Sequence, residues 1–347
     1  MNMLKANSGT KSAIEQLRDD ENKIFSDLFY RGESVRLPAD IRQRYGFEKL
    51  VSAGLLSCSA QGYRATVMLS CVGGLVLATD FPDNQDERMV FPIHPESTYF
   101  IKNISARKGA KCLDICTGSG IYALILAKQG YQVTAVDLNP EALKYAKFNQ
   151  ELNGIGKIRF LRGNLFTPVR GERFDYISCN PPFEPVPPGS RHYLHSYGGP
   201  DGLIVFDKLL RALNDFLSEK GVFQIVTYTL SGKRGSLIAE HIANQIKGTG
   251  LNVMLKLLGK PQPLKSAAEH YKTNKLHQSW LAGWLGSGYS QLQYVMISGK
   301  RQGHRHSLKV INDKSESCKG WDLPLNWKKP VLLRKVRRPA TIVCADF

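Results

Sequence analysis

Two groups of residues in this chain have types and spacing that could do chemistry, and each stands where an apolar run stops. The first is Asp114-Ile115-Cys116-Thr117-Gly118-Ser119-Gly120. Glycines there let the backbone turn tightly and approach a ligand closely, which a Cβ would block. Asp137 ends the next apolar run, 17 residues beyond Gly120. A carboxylate at that place can accept hydrogen bonds from the hydroxyls of a ribose. The second group is Asn180-Pro181-Pro182-Phe183. Two prolines stiffen a loop and hold the polar atoms beside them in place. A plain turn would use similar residues. The position after a glycine-rich turn and an acidic strand end favours a site.

The elements that must position these groups alternate. Apolar strands are expected over 111–116, 132–137, 158–162, 174–180 and 222–230, with helical patterns at 121–129, 140–153 and 201–219. Strand–helix alternation of this kind demands a parallel sheet with helices on both faces. Two later strands, 251–258 and 291–298, fit a terminal pair that closes the sheet edge. The reading is a doubly wound α/β sheet of seven strands, spanning 101–300. An insertion at 261–290 has a helical pattern, with Trp280 and Trp284 four residues apart as packing residues.

Ahead of it, 1–100 reads as a small α+β domain. A helical pattern runs from Ser12 to about Ala53, followed by short strands around Gln61-Gly62 and a further strand at 73–81. Helices followed by a hairpin resemble a winged helix; a small packing lid is the preferred reading. Behind it, 301–347 is a basic extension, irregular as far as Trp321.

Composition bounds the function classes. A hydrophobic share of 42% with 22% charge fits a soluble globular core. No apolar run is long enough for a membrane span, and the N-terminus lacks a secretory pattern. A cytoplasmic protein is expected. The seven cysteines are scattered and odd in number, so neither a disulfide framework nor a metal site is expected. The net charge is +17, and the stretch from Ser231 to Phe347 holds 20 Lys+Arg against 6 Asp+Glu. Such a field attracts polyanions such as RNA, although a solvated tail looks the same.

Gly118, Gly120 and Ala123 also satisfy a relaxed dinucleotide fingerprint, which alone would leave a nicotinamide-dependent oxidoreductase open. Asp114 argues against it, because a pyrophosphate would find that charge unwelcome and a sulfonium-bearing amino acid would not. Asn180 through Phe183 is the second objection, since hydride transfer has no need of it.

That tetrapeptide resembles the catalytic motif of the amino-methyltransferases that carry Asn/Asp-Pro-Pro-Tyr/Phe. Two outer segments are similar to those of release-factor glutamine methyltransferases: Phe91-Pro92-Ile93-His94-Pro95-Glu96-Ser97-Thr98 and Gly198-Gly199-Pro200-Asp201-Gly202-Leu203. The resemblance covers about residues 90–260, without the N-terminal 80 residues or the basic tail. It implies a Rossmann-like methyltransferase with S-adenosylmethionine as cofactor. Asp114, Thr117, Gly118, Gly120, Asp137, Leu138, Asn164, Leu165 and Asn180 would then form the cofactor site. Asn164 stands where the family usually has an acid; its amide oxygen can still accept from an adenine amine. Phe183 stands where those enzymes usually have tyrosine. Asn180 and Pro181 would each accept one N–H of a planar nitrogen whose face lies on Phe183, with Pro182 stiffening the loop.

The implied target is a glutamine side-chain amide of a translation protein, narrowly ahead of an RNA base (adenine N6 or guanine N2). The partner would accordingly be a protein or RNA substrate, of the kind found on the ribosome. A small-molecule methyltransferase is a third reading. A nucleic-acid-binding protein with a silent core would show a degraded turn or a broken tetrapeptide, and neither is present. His192, Tyr193, His195 and Tyr197 follow the motif and could line the pocket or form its cover; none is assigned as a base.

Overall fold

The computed structural model describes residues 4–6, 9–186, 189, 191–232, 235–264, 288–302 and 305–313. Four short helices come first, α1 (Thr10–Asp20), α2 (Asn22–Phe29), α3 (Ala39–Arg44) and α4 (Phe47–Ser52). Two hairpins follow. β1 (Leu56–Ser59) pairs with β2 (Gly62–Ala65), and β3 (Met68–Val72) pairs with β4 (Leu75–Thr79), each as a separate antiparallel sheet. Helix α5 (Pro95–Lys102) leads into the main sheet, whose elements are β5 (Lys111–Ile115), α6 (Ile121–Lys128), β6 (Gln132–Asp137), α7 (Pro140–Leu152) and β7 (Arg159–Arg162). The second half holds β8 (Phe174–Cys179), α8 (Ile204–Phe216), β9 (Leu217–Gly232), β10 (Gly235–Ser236) and α9 (Leu237–Gln245). β11 (Leu251–Pro263), β12 (Gln291–Arg301) and β13 (Ser307–Asp313) complete it.

The main sheet has the order β13-β11-β12-β9-β8-β5-β6-β7. Strands β5 to β9 run parallel, and β12 is antiparallel to both β9 and β11. The chain winds outward from β5 to β7, then returns to β8 on the other side of β5. Ligands bind doubly wound sheets at that reversal, outside the carboxyl ends of the strands. Ile115 and Cys179 are register partners there, so the glycine-rich turn and the Asn180–Phe183 loop leave the sheet side by side.

Three differences from the sequence reading concern the second half. The sheet has more than the expected seven strands: β13 adds an outer strand parallel to β11, and β10 pairs with β9. Part of the basic extension is therefore sheet. Its side chains are exposed or half-buried throughout and carry no buried stripe to reveal the strand. Helix α9 was not expected; it starts at Ser236, whose hydroxyl caps Ala239 N, and buries Ile238 and Ile242. Strand β9 begins at Leu217 rather than Val222 because Leu217 already pairs with Phe174 of β8, and the polar residues Ser218 to Gly221 form the irregularity between that pair and the next, Tyr176 with Val222. Trp280, Trp284 and Trp321 lie outside the described residues.

The helices seat on the sheet by apolar faces. α8 buries Phe206, Leu209, Leu210 and Leu213 in one cluster with Phe174, Ile177 and Phe223. α5 contributes Phe100 to the cluster of Cys112, Leu124 and Tyr176. α7 has two duties. Pro140 opens it and the Asn139 side chain caps Glu141 N, which fixes its start just after Asp137. Its far face, with Ala142, Tyr145, Phe148 and Leu152, joins the core of the four N-terminal helices and both hairpins.

Polar contacts fix that second interface. Asn149 Oδ1 accepts from Ala78 N at 2.8 Å and its Nδ2 donates to Ala78 O at 3.0 Å. Asn153, one turn on, does the same for Val76, at 2.9 and 2.7 Å. Two side-chain amides thus complete the hydrogen bonds along the edge of β4. Asn149 Nδ2 also donates to Ser119 O at 2.9 Å, tying the glycine-rich turn to the same point. Asn149 is fully buried, so truncation leaves several backbone groups unpaired in a dry place. Asn149→Ala is expected to lower unfolding free energy by about 2–4 kcal/mol in urea titration. A loss under about 1 kcal/mol would mean that water replaces the amide.

Candidate active site

A cavity of about 550 Å³ opens over the ends of β5, β6 and β8. Asp137, Leu138, Asn164 and Leu165 line one part, and Asn180, Phe183, Tyr228 and Glu96 line another. Sequence-predicted residues Thr117, Gly118, Pro181 and Pro182 line it too. Asp114 and Gly120 do not.

Asp114 lies beneath the turn, fully buried. Its Oδ2 accepts from Thr117 Oγ at 2.6 Å and its Oδ1 from Ser178 Oγ at 2.7 Å. Burial pushes its carboxyl up to about 7, against the pull of these two hydroxyls and of Ala123 N. The position therefore supports the turn from below, and Ser178 is a partner that the sequence did not single out. The sign of its pH effect follows from the raised value: Asp114 contributes stability that is fully present below about pH 4 and lost as pH rises through about 7. Between these limits the unfolding free energy of the wild type should fall with pH more steeply than that of Asp114→Asn. Urea titrations of both proteins at stepped pH measure the difference.

Asp137 closes the turn from the side. Its Oδ2 accepts from Gly118 N and its Oδ1 from Asn139 N, each at 2.8 Å. Each oxygen keeps a second lone pair. Burial raises this carboxyl as well. Two non-glycine residues adopt left-handed backbone at the rim, Cys116 at φ 56° and Leu165 at φ 49°. Such strain persists only where the surroundings over-determine it, and it clusters at ligand sites. A Cβ built on Gly118 would meet nothing within 4 Å, so its bare backbone faces open cavity. Leu138, 51% exposed, adds an apolar surface beside Asp137. Carboxylate, bare turn, apolar surface and the Asn164 amide together fit the ribose and adenine of S-adenosylmethionine.

The second motif leaves β8 directly. Asn180 Oδ1 is buried and has no hydrogen-bond partner among the described residues. The Tyr122 hydroxyl, on the first turn of α6, is pushed up by burial and has Ser97 and Asn180 as polar neighbours. Phe183 meets Tyr228 edge-on, with centroids 4.5 Å apart.

The segment Gly198–Leu203 supports the loop from behind. Gly198 N donates to Glu184 O at 2.9 Å, and Ile204 N donates to Gly198 O at 2.9 Å. A Cβ on Gly202 would sit 2.4 Å from Phe183 O, so only glycine lets the two backbones approach. Asp201 Oδ1 accepts from Leu203 N at 2.9 Å, a local turn that feeds α8.

The four residues expected to line or cover the pocket all line it. His192 stacks on Tyr197 at 4.1 Å and Tyr193 on His195 at 5.2 Å. Leu194 N donates to Glu87 O at 2.9 Å, which pins this loop to the segment before α5. Sequence reasoning gave no role to Glu184, Tyr122, Tyr228 or Tyr294, which also line the cavity. Burial raises the Glu184 carboxyl to about 8, opposed by Ser196. His94 contacts Glu96 Oε2 through Nδ1, and burial lowers its imidazole to about 3. Among the described residues no helix is long and apolar enough to cross a membrane, and no cluster of three metal ligands occurs.

Comparison with known proteins agrees with this geometry. The profile of the methyltransferase small domain matches residues 93–245. A protein of Methanocaldococcus jannaschii whose assigned role is that of a protein N5-glutamine methyltransferase is 32% identical over 181 residues, 48% of this chain and 87% of the relative. The release factor glutamine methyltransferase of Thermodesulfovibrio yellowstonii is 31% identical over 145 residues, 37% of this chain and 52% of the relative. The ribosomal protein uL3 glutamine methyltransferase of Xanthomonas campestris is 27% identical over 206 residues, 54% of this chain and 67% of the relative. A glycine-rich turn and an Asn-Pro-Pro-Phe loop on neighbouring strand ends, in a matched stretch that includes both, place the chain in the methyltransferase small domain family, as an S-adenosylmethionine-dependent methyltransferase.

Proposed function

We propose that this enzyme methylates the side-chain amide nitrogen of a glutamine in a translation protein. The observation that supports the reading best is Asn180 Oδ1, a buried acceptor without a partner among the described residues, beside the cofactor turn. An amide nitrogen is a poor nucleophile because its lone pair is delocalised into the carbonyl. Asn180 Oδ1 and the Pro181 carbonyl accept its two N–H groups, and Phe183 lies against its planar face. Held so, the lone pair turns out of conjugation toward the incoming carbon. S-adenosylmethionine, when bound, supplies an electrophilic methyl group on its sulfonium. Orientation and fixed dipoles then lower the barrier without a strong base, because the nitrogen becomes strongly acidic as it is methylated and its surplus proton leaves to water.

In this reading Asp137 holds the ribose, Asn164, Leu138 and Leu165 the adenine, and Thr117 and Gly118 the approach of the backbone, while Asp114 keeps the turn in shape and Gly120 lets it pack against Ala146 of α7. Residues 1–100 act as a cover anchored on α7, residues 101–300 as the catalytic unit, and the basic extension from 301 as a docking element for a ribosome-associated target in the cytoplasm. The relatives named above act on glutamine in release factors and ribosomal protein uL3, which supports the protein target.

The net charge of +17 favours an RNA base as the second reading. Incubation with methyl-labelled cofactor and cell extract separates the two. Label lost to protease and recovered as N5-methylglutamine is expected. Label lost to nuclease would replace the glutamine reading with the RNA one.

A further inference from the structure

The cavity has a feature that a glutamine amide leaves unused. Beyond Phe183 its wall is an unbroken run of rings. Phe183 meets Tyr228 at 4.5 Å, Tyr228 meets Tyr294 at 6.1 Å, and Tyr294 meets His94 at 5.8 Å. His94 meets Phe91 at 6.4 Å, and Phe91 stacks on His195 at 4.8 Å. Tyr228 and Tyr294 are register partners on β9 and β12, so their rings share one face of the sheet.

Two carboxyl groups stand in the same cavity, Glu96 and Glu184. Glu184 Oε2 is buried with no hydrogen-bond partner, and no ion pair involves this residue among the described ones. Burial raises its carboxyl to about 8, with the Ser196 hydroxyl opposing. Glu96 contacts His94, whose imidazole burial keeps neutral. With Asp137, three acids line the cavity, and Lys208 is the lone lysine or arginine among the described lining residues. In a chain of net charge +17 this acidic interior is a local reversal.

Ring faces carry negative electrostatic potential and attract ammonium and guanidinium groups. A buried carboxyl held neutral in this way ionises favourably when a cation arrives beside it. We infer that the substrate end of the cavity is a cation subsite, in which Glu184 and the rings of Phe183, Tyr228 and Tyr294 take an alkylammonium or guanidinium group carried by the substrate next to its reactive nitrogen. The inference rests on the proposed function only in placing the substrate beyond Phe183. A glutamine presented beside a lysine or arginine satisfies both, and so does a basic small molecule.

The test uses the full chain saturated with S-adenosylhomocysteine, which removes the cofactor half of the cavity from the measurement. Choline and its uncharged isostere 3,3-dimethyl-1-butanol are titrated by calorimetry and by saturation-transfer NMR. Choline is expected to bind at least tenfold more tightly than the alcohol. Glu184→Gln should abolish that difference, and Tyr228→Leu should weaken choline by several-fold. Unchanged S-adenosylhomocysteine affinity verifies that each variant is folded. Equal affinity for the two probes, no binding of choline, or a preference that survives Glu184→Gln would each overturn the inference. No methyl transfer is measured, so failure here leaves the glutamine reading standing, and failure of that reading leaves this result standing.

Discussion

Replacing Asn180 with alanine is expected to lower turnover by about 10²–10³-fold, or about 3–4 kcal/mol of transition-state stabilisation. The expectation rests on the bookkeeping of one oxygen. Asn180 lines the cavity, and its Oδ1 is buried and bonds to no described residue, so its loss removes an acceptor from the substrate and little from the fold. S-adenosylhomocysteine affinity should stay within a few-fold and the melting temperature within a few degrees. Asn180→Asp keeps an acceptor at the same place and should retain more activity than the alanine variant. Single-turnover rates with labelled cofactor give the comparison. Unchanged turnover in Asn180→Ala, with cofactor still bound, would remove this residue from the chemistry.

The second large effect is on cofactor binding. Gly118 has φ 54°, and a Cβ there would project into space that nothing in the protein fills. Gly118→Ala should weaken S-adenosylhomocysteine by about tenfold to a hundredfold in calorimetry, because the methyl occupies the place where the ligand meets the backbone. Left-handed backbone costs an alanine about 1–2 kcal/mol, so the ligand-free protein should also unfold slightly earlier. The ratio of the two losses is diagnostic. A stability loss with affinity intact would mean that the ligand does not rest on this turn.

Much of the site is legible because its parts are local in sequence. Asp114 to Gly120, Asp137 and Asn180 to Phe183 each follow an apolar strand, and parallel pairing brings strand ends together without further information. Gln132–Asp137 has the same limits in the sequence reading as in the structure. What stayed hidden depends on contacts across the chain. Glu184 reads as an ordinary acid after a turn until Ser196 and Gly198 close over its backbone. Asn149 and Asn153 look like solvent-facing helix polar residues until β4 arrives. β13 carries only a weak signal because it is an edge strand with no fully buried residue, Leu308 alone being packed against the main core. Asp114 shows the reverse case: its type suggested a ligand contact, and its depth makes it a support.

The amide rungs between α7 and β4 carry a consequence for how such enzymes can be recombined. Asn149 serves Ala78 and Ser119 at once, so the early hairpin and the cofactor turn share one side chain. A chimera joined just ahead of β5 would pair a foreign hairpin with a helix whose asparagines were spaced for another backbone. The workable crossover lies after α7 and its C-cap Asn153, with residues 10–153 inherited as one block. Transplanting a new cover onto this catalytic core therefore means transplanting α7 with it.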